Sequence, residues 1–334
     1  MQTITDFAIK RNSRNRIGQN WNLAIESFIN HCIAKNLKEV TVEWYKDNLE
    51  NYFYRDFIVP QKISAPNQIA NTDVELYAMM MRKKKLKVGT INVRLRALRT
   101  FINYLKEEEY IEQNVKVKLV KQDKPIIKTF SEEQMKRLIE KPKIDKNMSF
   151  ATFRDYTLIA FLAGTGVRLG TLKEIKVRDV DFVTREIRLN HTKNRTEYVI
   201  PLSNSLAKIL QEYLKIRGGE AEDYLFCNSY GEMIKDRTIQ DRIKLYCYNC
   251  LGKEAEGLRC SPHDFRHFFA IQFIRNGGDI LTLQKLLGHK TLEMTRRYVN
   301  LLNADVKKKF AEYSPLDSLA TIKSIGRKAI KIKR

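Results

Sequence analysis

The sequence predicts a two-domain, mostly α-helical chain with one small antiparallel sheet. Apolar residues recur at three- and four-residue steps over most of the first 110 positions and again in the second half. Two short runs near residues 186 and 197 instead alternate polar with apolar. Between the halves lies a stretch without helical periodicity, and 334 residues suffice for two ordinary domains with cores of their own.

Residues 1–18 form an N-terminal extension carrying Lys10, Arg11, Arg14 and Arg16, with no apolar core of the kind a signal peptide needs. The first domain spans 19–115. Trp21, Ile25, Phe28, Ile29 and Cys32 mark one face of its first helix, and a second helical run goes from Val40 to about Phe53. Thr72 and Asp73 offer an N-cap for a third, which carries Val74, Leu76, Tyr77 and Met80 and ends in Arg82-Lys83-Lys84-Lys85. The fourth runs from Val88 to about Glu108, with Leu95, Leu98, Phe101 and Ile102 on its apolar side.

Residues 116–128 alternate Lys with Val, contain Asp123-Lys124-Pro125 and are expected as an extended linker. The second domain covers 129–312. Ser131 followed three residues later by Gln134 reads as a capping box. Phe153 to Ala163 is a buried helix leading into the Gly164-Thr165-Gly166 turn, which delivers Arg168. Glu186–Leu189 and Glu197–Ile200 are the two hairpin strands, followed by a helix from Ser203 to Arg217, one from about Lys235 to Leu251, and others to about Phe310. A basic tail, 313–334, closes the sequence, and its last sixteen residues hold six positive and no negative side chains.

Composition narrows the function. Sixty-one Lys plus Arg against 39 Asp plus Glu give a net charge of +22, which suits a partner bearing a dense row of phosphates. The longest apolar run, Tyr156 to Ala163, is far short of the ~20 residues that span a bilayer, so no membrane partner and a cytoplasmic location are expected. Five cysteines, an odd number without a signal, read as reduced thiols. Cys247-x-x-Cys250 with Cys260 and His263 has zinc-like spacing; the alternative, adopted here, makes Cys247 a buried apolar residue on a helix and leaves no metal.

One constellation carries chemistry. Two arginines, Arg168 and Arg266, supply planar forks that grip phosphate oxygens and stay charged at any working pH. Fixed positive groups stabilise the charge of a phosphoryl-transfer transition state, so no metal or other cofactor is required. Tyr298 follows His289 by nine residues and offers a phenol as nucleophile, while His263 and His289 can move protons near neutrality. Lys193, between the two strands, is placed to protonate the leaving 5′-oxygen from a hairpin tip, with Arg195 as the fallback. Tyr313 is a rival nucleophile without the histidine spacing. His267 points about 100° away from Arg266 around a helix and reads as a packing residue or one that supports the site residues from behind, and Arg297 as a DNA-backbone contact. On the first domain, Lys83, Lys84, Lys85, Lys87, Asn92, Arg94, Arg96 and Arg99 form a positive surface for backbone phosphates or groove edges, the alternative being a solvated helix face.

With the Arg168 turn, the His263-x-x-Arg266 box and Leu287-Gly288-His289 ahead of Tyr298, the chain resembles the tyrosine recombinase/integrase family of the lambda-integrase and Xer type over roughly residues 20–300. The resemblance implies an N-terminal four-helix core-binding (SAM-like) domain and a tyrosine-recombinase catalytic domain that together close around double-stranded DNA recombination sites. It implies that Arg168, Lys193, His263, Arg266 and His289 assemble the site and that Tyr298 forms a 3′-phosphotyrosyl link. It also implies a homotetramer on DNA, a monomer or weak oligomer when free, and exchange through a four-way junction. Thr171 departs from the family pattern, which usually has an acidic residue there; Glu174 lies one turn on. Val306, Phe310 and Leu316 are candidates for a C-terminal segment docked on a neighbour or on its own domain. About twenty residues before the first helix leave no room for an arm-binding domain, so short core sites are expected. The sequence is equally open to element integration and multimer resolution. A DNA-binding protein of the same fold without chemistry, and a type IB topoisomerase, are the alternatives.

Overall fold

The computed structural model describes residues 18–122, 129–142, 149–189 and 198–299. Lys193, Arg195, Tyr313, Val306, Phe310 and Leu316 lie outside them, as do the N-terminal extension and the tail. The chain divides into two compact units between Pro125 and Ile126.

In the first unit, α1 (Trp21–Ala34) starts at Asn20, whose side chain accepts from the Leu23 N–H at 2.9 Å. The second run is longer than the periodicity suggested. α2 (Glu39–Lys46) continues over Asp47–Ile58 with wider i→i+5 winding and ends past Pro60. α3 (Asn71–Lys83) begins two residues before the expected cap: Asp73 sits inside the first turn and its carboxylate accepts from the Ala70 N–H at 2.8 Å. α4 (Val88–Glu107) buries Leu95, Leu98, Phe101 and Ile102 as expected. Aromatic rings from all four runs interlock, Trp21 edge-on to Phe53, Phe53 to Tyr77, and Phe28 against Phe101.

The expected linker starts too early. Val115 and Val117 are buried in this core while Lys116 and Lys118 face out, the period of two of a half-buried extended segment. Arg99 donates Nε and Nη2 to the Val117 carbonyl (3.0 and 2.7 Å). The Asn92 side chain donates to the Val120 carbonyl (2.9 Å) and accepts from the Val120 N–H (2.8 Å). The Lys/Val alternation is therefore a packing pattern, and the segment belongs to the first unit at least as far as Val120.

In the second unit, α5 (Glu132–Leu138) carries the expected capping box: the Gln134 N–H donates to Ser131 Oγ (3.1 Å) and the Ser131 N–H to Gln134 Oε1 (2.9 Å). α6 (Phe150–Thr165) is capped by Ser149 and buried on nearly every face. It stops at Gly166, whose φ of 62° is left-handed; a Cβ there would also lie 2.7 Å from the Phe269 ring. Arg168 then caps a single turn, α7 (Leu169–Leu172). The sheet has three antiparallel strands in the order β1 (Val180–Asp181), β2 (Glu186–Leu189), β3 (Tyr198–Pro201), with Ile187 opposite both Val180 and Ile200. β1 is two residues long, too short to show a period. α8 (Asn204–Arg217), α9 (Asp236–Leu251), α10 (Pro262–Arg275), α11 (Ile280–Leu287) and α12 (Leu292–Val299) follow. A main core gathers α6, α8, α9 and the sheet, and a smaller one joins Ala270, Ile271, Ile274, Leu283, Leu287 and Tyr298.

Asn92→Ala leaves both Val120 backbone groups unpaired and should cost about 2–3 kcal/mol. The chain's two tryptophans, Trp21 and Trp44, both lie in the first unit, so urea unfolding followed by tryptophan fluorescence reads this loss.

Candidate functional site

The arginines expected to share a phosphate come from segments about a hundred residues apart. Gly166 turns the chain so that Arg168 leaves the end of α6, and Arg266 sits in the second turn of α10. Arg266 donates Nη1 to the Gly166 carbonyl (2.8 Å) and Nη2 to the Leu287 carbonyl (2.7 Å). Arg168 donates Nη1 to the Leu287 and Gly288 carbonyls (3.4 and 3.2 Å) and Nη2 to Gly288 (3.3 Å). Both guanidinium groups thus converge on the carbonyl end of α11, where the helix dipole is negative. Each has five N–H donors, so these contacts leave others for an anion. Arg266 is only 4% exposed. Burial, and then the like charge of Arg168, bring its pKa down to about 10.

The histidines share this positive field. His263 is exposed at its edge in the first turn of α10, on the same side as Arg266, and partial desolvation of its ring, then Arg266 and Arg259, lowers its pKa. Asp264, beside it, closes the helix start by accepting from the Ser261 N–H (2.9 Å), the Ser261 hydroxyl (2.7 Å) and Arg259 (2.8 Å). His289 follows the left-handed Gly288 (φ 58°), and its Nδ1 lies 2.8 Å from Thr295 Oγ1. Burial, then Arg266, Arg168 and Arg297, push it down to about 3.

Tyr298 is fully buried. Its ring lies parallel to His289 at 6.5 Å, within the small core that contains Leu287. Its Oη is 3.0 Å from His267 Nδ1 and 3.1 Å from Arg297 Nη2. The structure therefore gathers Arg168, Arg266, His289 and Tyr298 around the α11 terminus, with His263 on the helix that supplies Arg266.

His267, expected either to pack or to support the site from behind, and Arg297, expected at the DNA backbone, both hold the Tyr298 hydroxyl. Spacing could have revealed His267: it lies four residues after His263 and so shares that residue's helix face, whereas the comparison with Arg266 alone hid this. Tyr198 on β3 was not singled out at all. Its ring and hydroxyl crowd Gly288, where an added Cβ would lie 3.2 Å from Oη. Burial raises the Tyr198 pKa, opposed by Arg266 and Arg168. Thr171 is buried in the turn after Arg168, its N–H bonded to the Arg168 carbonyl at 3.0 Å. Cys247 is buried in the main core, and among the described residues no group of three or more His, Cys, Asp or Glu side chains could hold a metal ion.

On the first unit, Lys83, Lys84, Lys85, Lys87 and Arg96 are exposed at the α3–α4 junction and along α4. Lys84 lies 3.5 Å from Asp56, and the Arg94 guanidinium stacks 3.6 Å over the Tyr52 ring. Asn92, expected on this surface, is instead buried with its amide committed to Val120, and Arg99 is turned to Val117.

Residues 128–304 match the phage integrase family, and residues 25–109 match the phage integrase N-terminal SAM-like domain. The chain belongs to the phage integrase family. Among curated relatives of this integrase-family chain, the tyrosine recombinase XerC of Oceanobacillus iheyensis is 25% identical over 303 residues, covering 88% of this chain and 96% of the relative. XerC of Bacillus subtilis is 28% identical over 292 residues, covering 85% and 93%. Among solved structures, the Tn1549 transposon integrase in complex with transposon right end DNA superposes with a TM-score of 0.66 at 21% identity, covering 88% of this chain and 99% of that one. XerH site-specific recombinase bound to its difH substrate gives 0.67 at 18% identity, covering 87% and 84%. The fold is accordingly a SAM-like helical domain followed by an integrase catalytic domain with a small antiparallel sheet. No helix among the described residues is long and apolar enough to cross a membrane.

The depressed imidazoles carry a stability consequence. An unfolded histidine protonates near pH ~6.5, while folded His267 holds off to about 4 and His289 to about 3. Between those limits the unfolded state binds more protons, so stability falls as pH drops, by up to ~1.4 kcal/mol per pH unit for each fully shifted ring. Imidazole NMR titration should find both rings still neutral at pH ~5, where an unperturbed histidine is charged.

Proposed function

We propose that this chain, a tyrosine-type site-specific recombinase by family, cuts and rejoins DNA through a 3′-phosphotyrosyl link formed by Tyr298. The observation that carries the reading is the convergence of Arg168 and Arg266 on the Leu287 carbonyl, beside the ring of Tyr298. Two fixed guanidinium groups with spare donors suit the non-bridging oxygens of one phosphodiester, whose transition state gathers charge there. His289 and His263 would complete the anion site, and Lys193 would protonate the leaving 5′-oxygen. The ester preserves the energy of the broken bond, so a 5′-hydroxyl from a partner duplex can attack it without ATP.

The substrate would be double-stranded recombination sites, gripped on the first unit by Lys83, Lys85, Lys87 and Arg96 and acted on by a homotetramer in the cytoplasm. The relatives' names fit this reading, one group called tyrosine recombinase XerC, another solved with transposon or difH DNA. Both element integration and multimer resolution use this chemistry.

A duplex nicked near the cleavage position traps the covalent intermediate. Wild-type chain should accumulate as an adduct and Tyr298→Phe should form none, while Arg266→Lys, which cannot keep both carbonyl contacts and a fork for phosphate, should cleave at least ~100-fold more slowly. Absence of adduct with the wild-type chain on every site it binds would favour a binding protein without chemistry.

A further inference from the structure

The hydroxyl of Tyr298 is buried yet fully engaged, and its partners differ from the histidines that the motif spacing brings forward. His267 is 8% exposed, with Nδ1 3.0 Å from Tyr298 Oη. Arg297 Nη2 lies 3.1 Å from that Oη, 3.2 Å from His267 Nδ1 and 3.5 Å from Nε2. An arginine only donates, so Oη accepts from Arg297. If Nδ1 carried a proton it too would donate to Oη, directed past a guanidinium, and the phenolic proton would be buried without an acceptor. With Nδ1 bare and the proton on Nε2, the Tyr298 O–H donates to Nδ1 while Oη accepts from Arg297. Both the phenolic proton and the bare Nδ1 then have a partner, as buried polar groups in native structures do.

The other imidazoles lack this relation. His289 has Nδ1 committed to Thr295 Oγ1 at 2.8 Å, and its ring centre lies 6.5 Å from that of Tyr298. His263 is exposed one turn earlier on α10.

We propose that His267 is the general base of the strand-cleavage step, taking the Tyr298 proton on Nδ1, with Arg297 stabilising the phenolate; this rests on Tyr298 being the nucleophile. As the Oη–P bond forms, the phenolic proton resides on Nδ1 and His267 becomes an imidazolium. The P–O5′ bond breaks and the leaving oxygen takes its proton from a separate acid. When a 5′-hydroxyl attacks the phosphotyrosyl ester, its proton passes to the base form of that same acid, and the departing phenolate recovers its proton from His267. The charged groups facing the ring are Arg297 from α12 and His263, Asp264 and Arg259 from α10 and its approach. Burial and then Arg297 hold the free ring neutral, with a pKa of about 4. A bound phosphodiester adds negative charge beside these cations and eases formation of the imidazolium.

The test compares two nicked duplexes, one with the normal scissile phosphodiester and one with sulfur replacing the 5′-bridging oxygen, since a thiolate leaves without a proton. His267→Ala and His267→Gln should both form adduct about 100-fold more slowly than wild type on both substrates, at unchanged DNA affinity. Adduct formation by His267→Ala should recover as pH rises and hydroxide takes over the removal of the proton. Glutamine preserves an acceptor without basicity, so a His267→Gln chain that cleaves at the wild-type rate would overturn the proposal, as would recovery of both variants on the sulfur substrate, which would make His267 the leaving-group acid. Tyr298→Phe separates the two levels: an adduct formed by that variant would remove the nucleophile assignment itself, whatever His267 does.

Discussion

The second unit depends on one concentrated conflict, a buried guanidinium group, Arg266, sharing its carbonyl partner with the half-buried one of Arg168. Like charges at short range repel strongly as solvent is removed, and the lowered pKa of Arg266 records that tension. What keeps the pair in place is backbone. The Gly166 carbonyl at the end of α6 and the Leu287 and Gly288 carbonyls at the end of α11 point at the cations. Carbonyls at helix C-termini carry partial negative charge without being anions. They orient the guanidinium groups but cannot neutralise them, so the residual field is available to a phosphate. A carboxylate in the same place would hold the arginines as firmly and compete with the substrate for their charge.

The same field fixes the protonation state of everything near it. His263, His267 and His289 are all driven toward the neutral form by partial burial and by neighbouring arginines. A neutral imidazole accepts a proton, and a positive one only donates. The cluster is suited to an anion and, at neutral pH, keeps unprotonated ring nitrogens beside the phenol. Anion binding would reverse part of the shift, which couples the proton chemistry to the presence of DNA.

Much of this was legible in the sequence because spacing encodes helix faces and glycine encodes turns. The stop at Gly166 requires both a positive φ and an absent side chain, so the turn that aims Arg168 has a strong local signature. Ser131 and Gln134 form their reciprocal cap from local sequence alone. The misses arose where a pattern had two physical meanings. Lysine alternating with valine suits a solvated linker and equally an extended segment with one face buried; only the partners Arg99 and Asn92, 18 and 28 residues upstream, decide between them. Asn92 looked like a groove reader because it lies among basic residues, yet its helical position faces inward. His267 was judged from its immediate neighbour, although the contact that defines it comes from Tyr298, 31 residues later.

The burial of Tyr298 bears on how strand cleavage could be controlled. Its ring belongs to the small core of α10, α11 and α12 rather than to the main core around α6 and α9. Shifting α12 within this small core disturbs far less apolar burial than opening the main core, which would unfold the unit. Arg297 shares α12 with Tyr298, so a shift small enough to keep the His267 contact leaves the hydroxyl with both partners. Leu287 lies in that same small core, and its carbonyl holds both Arg168 and Arg266, so the phenol and the paired guanidinium groups are built on one layer and are positioned together.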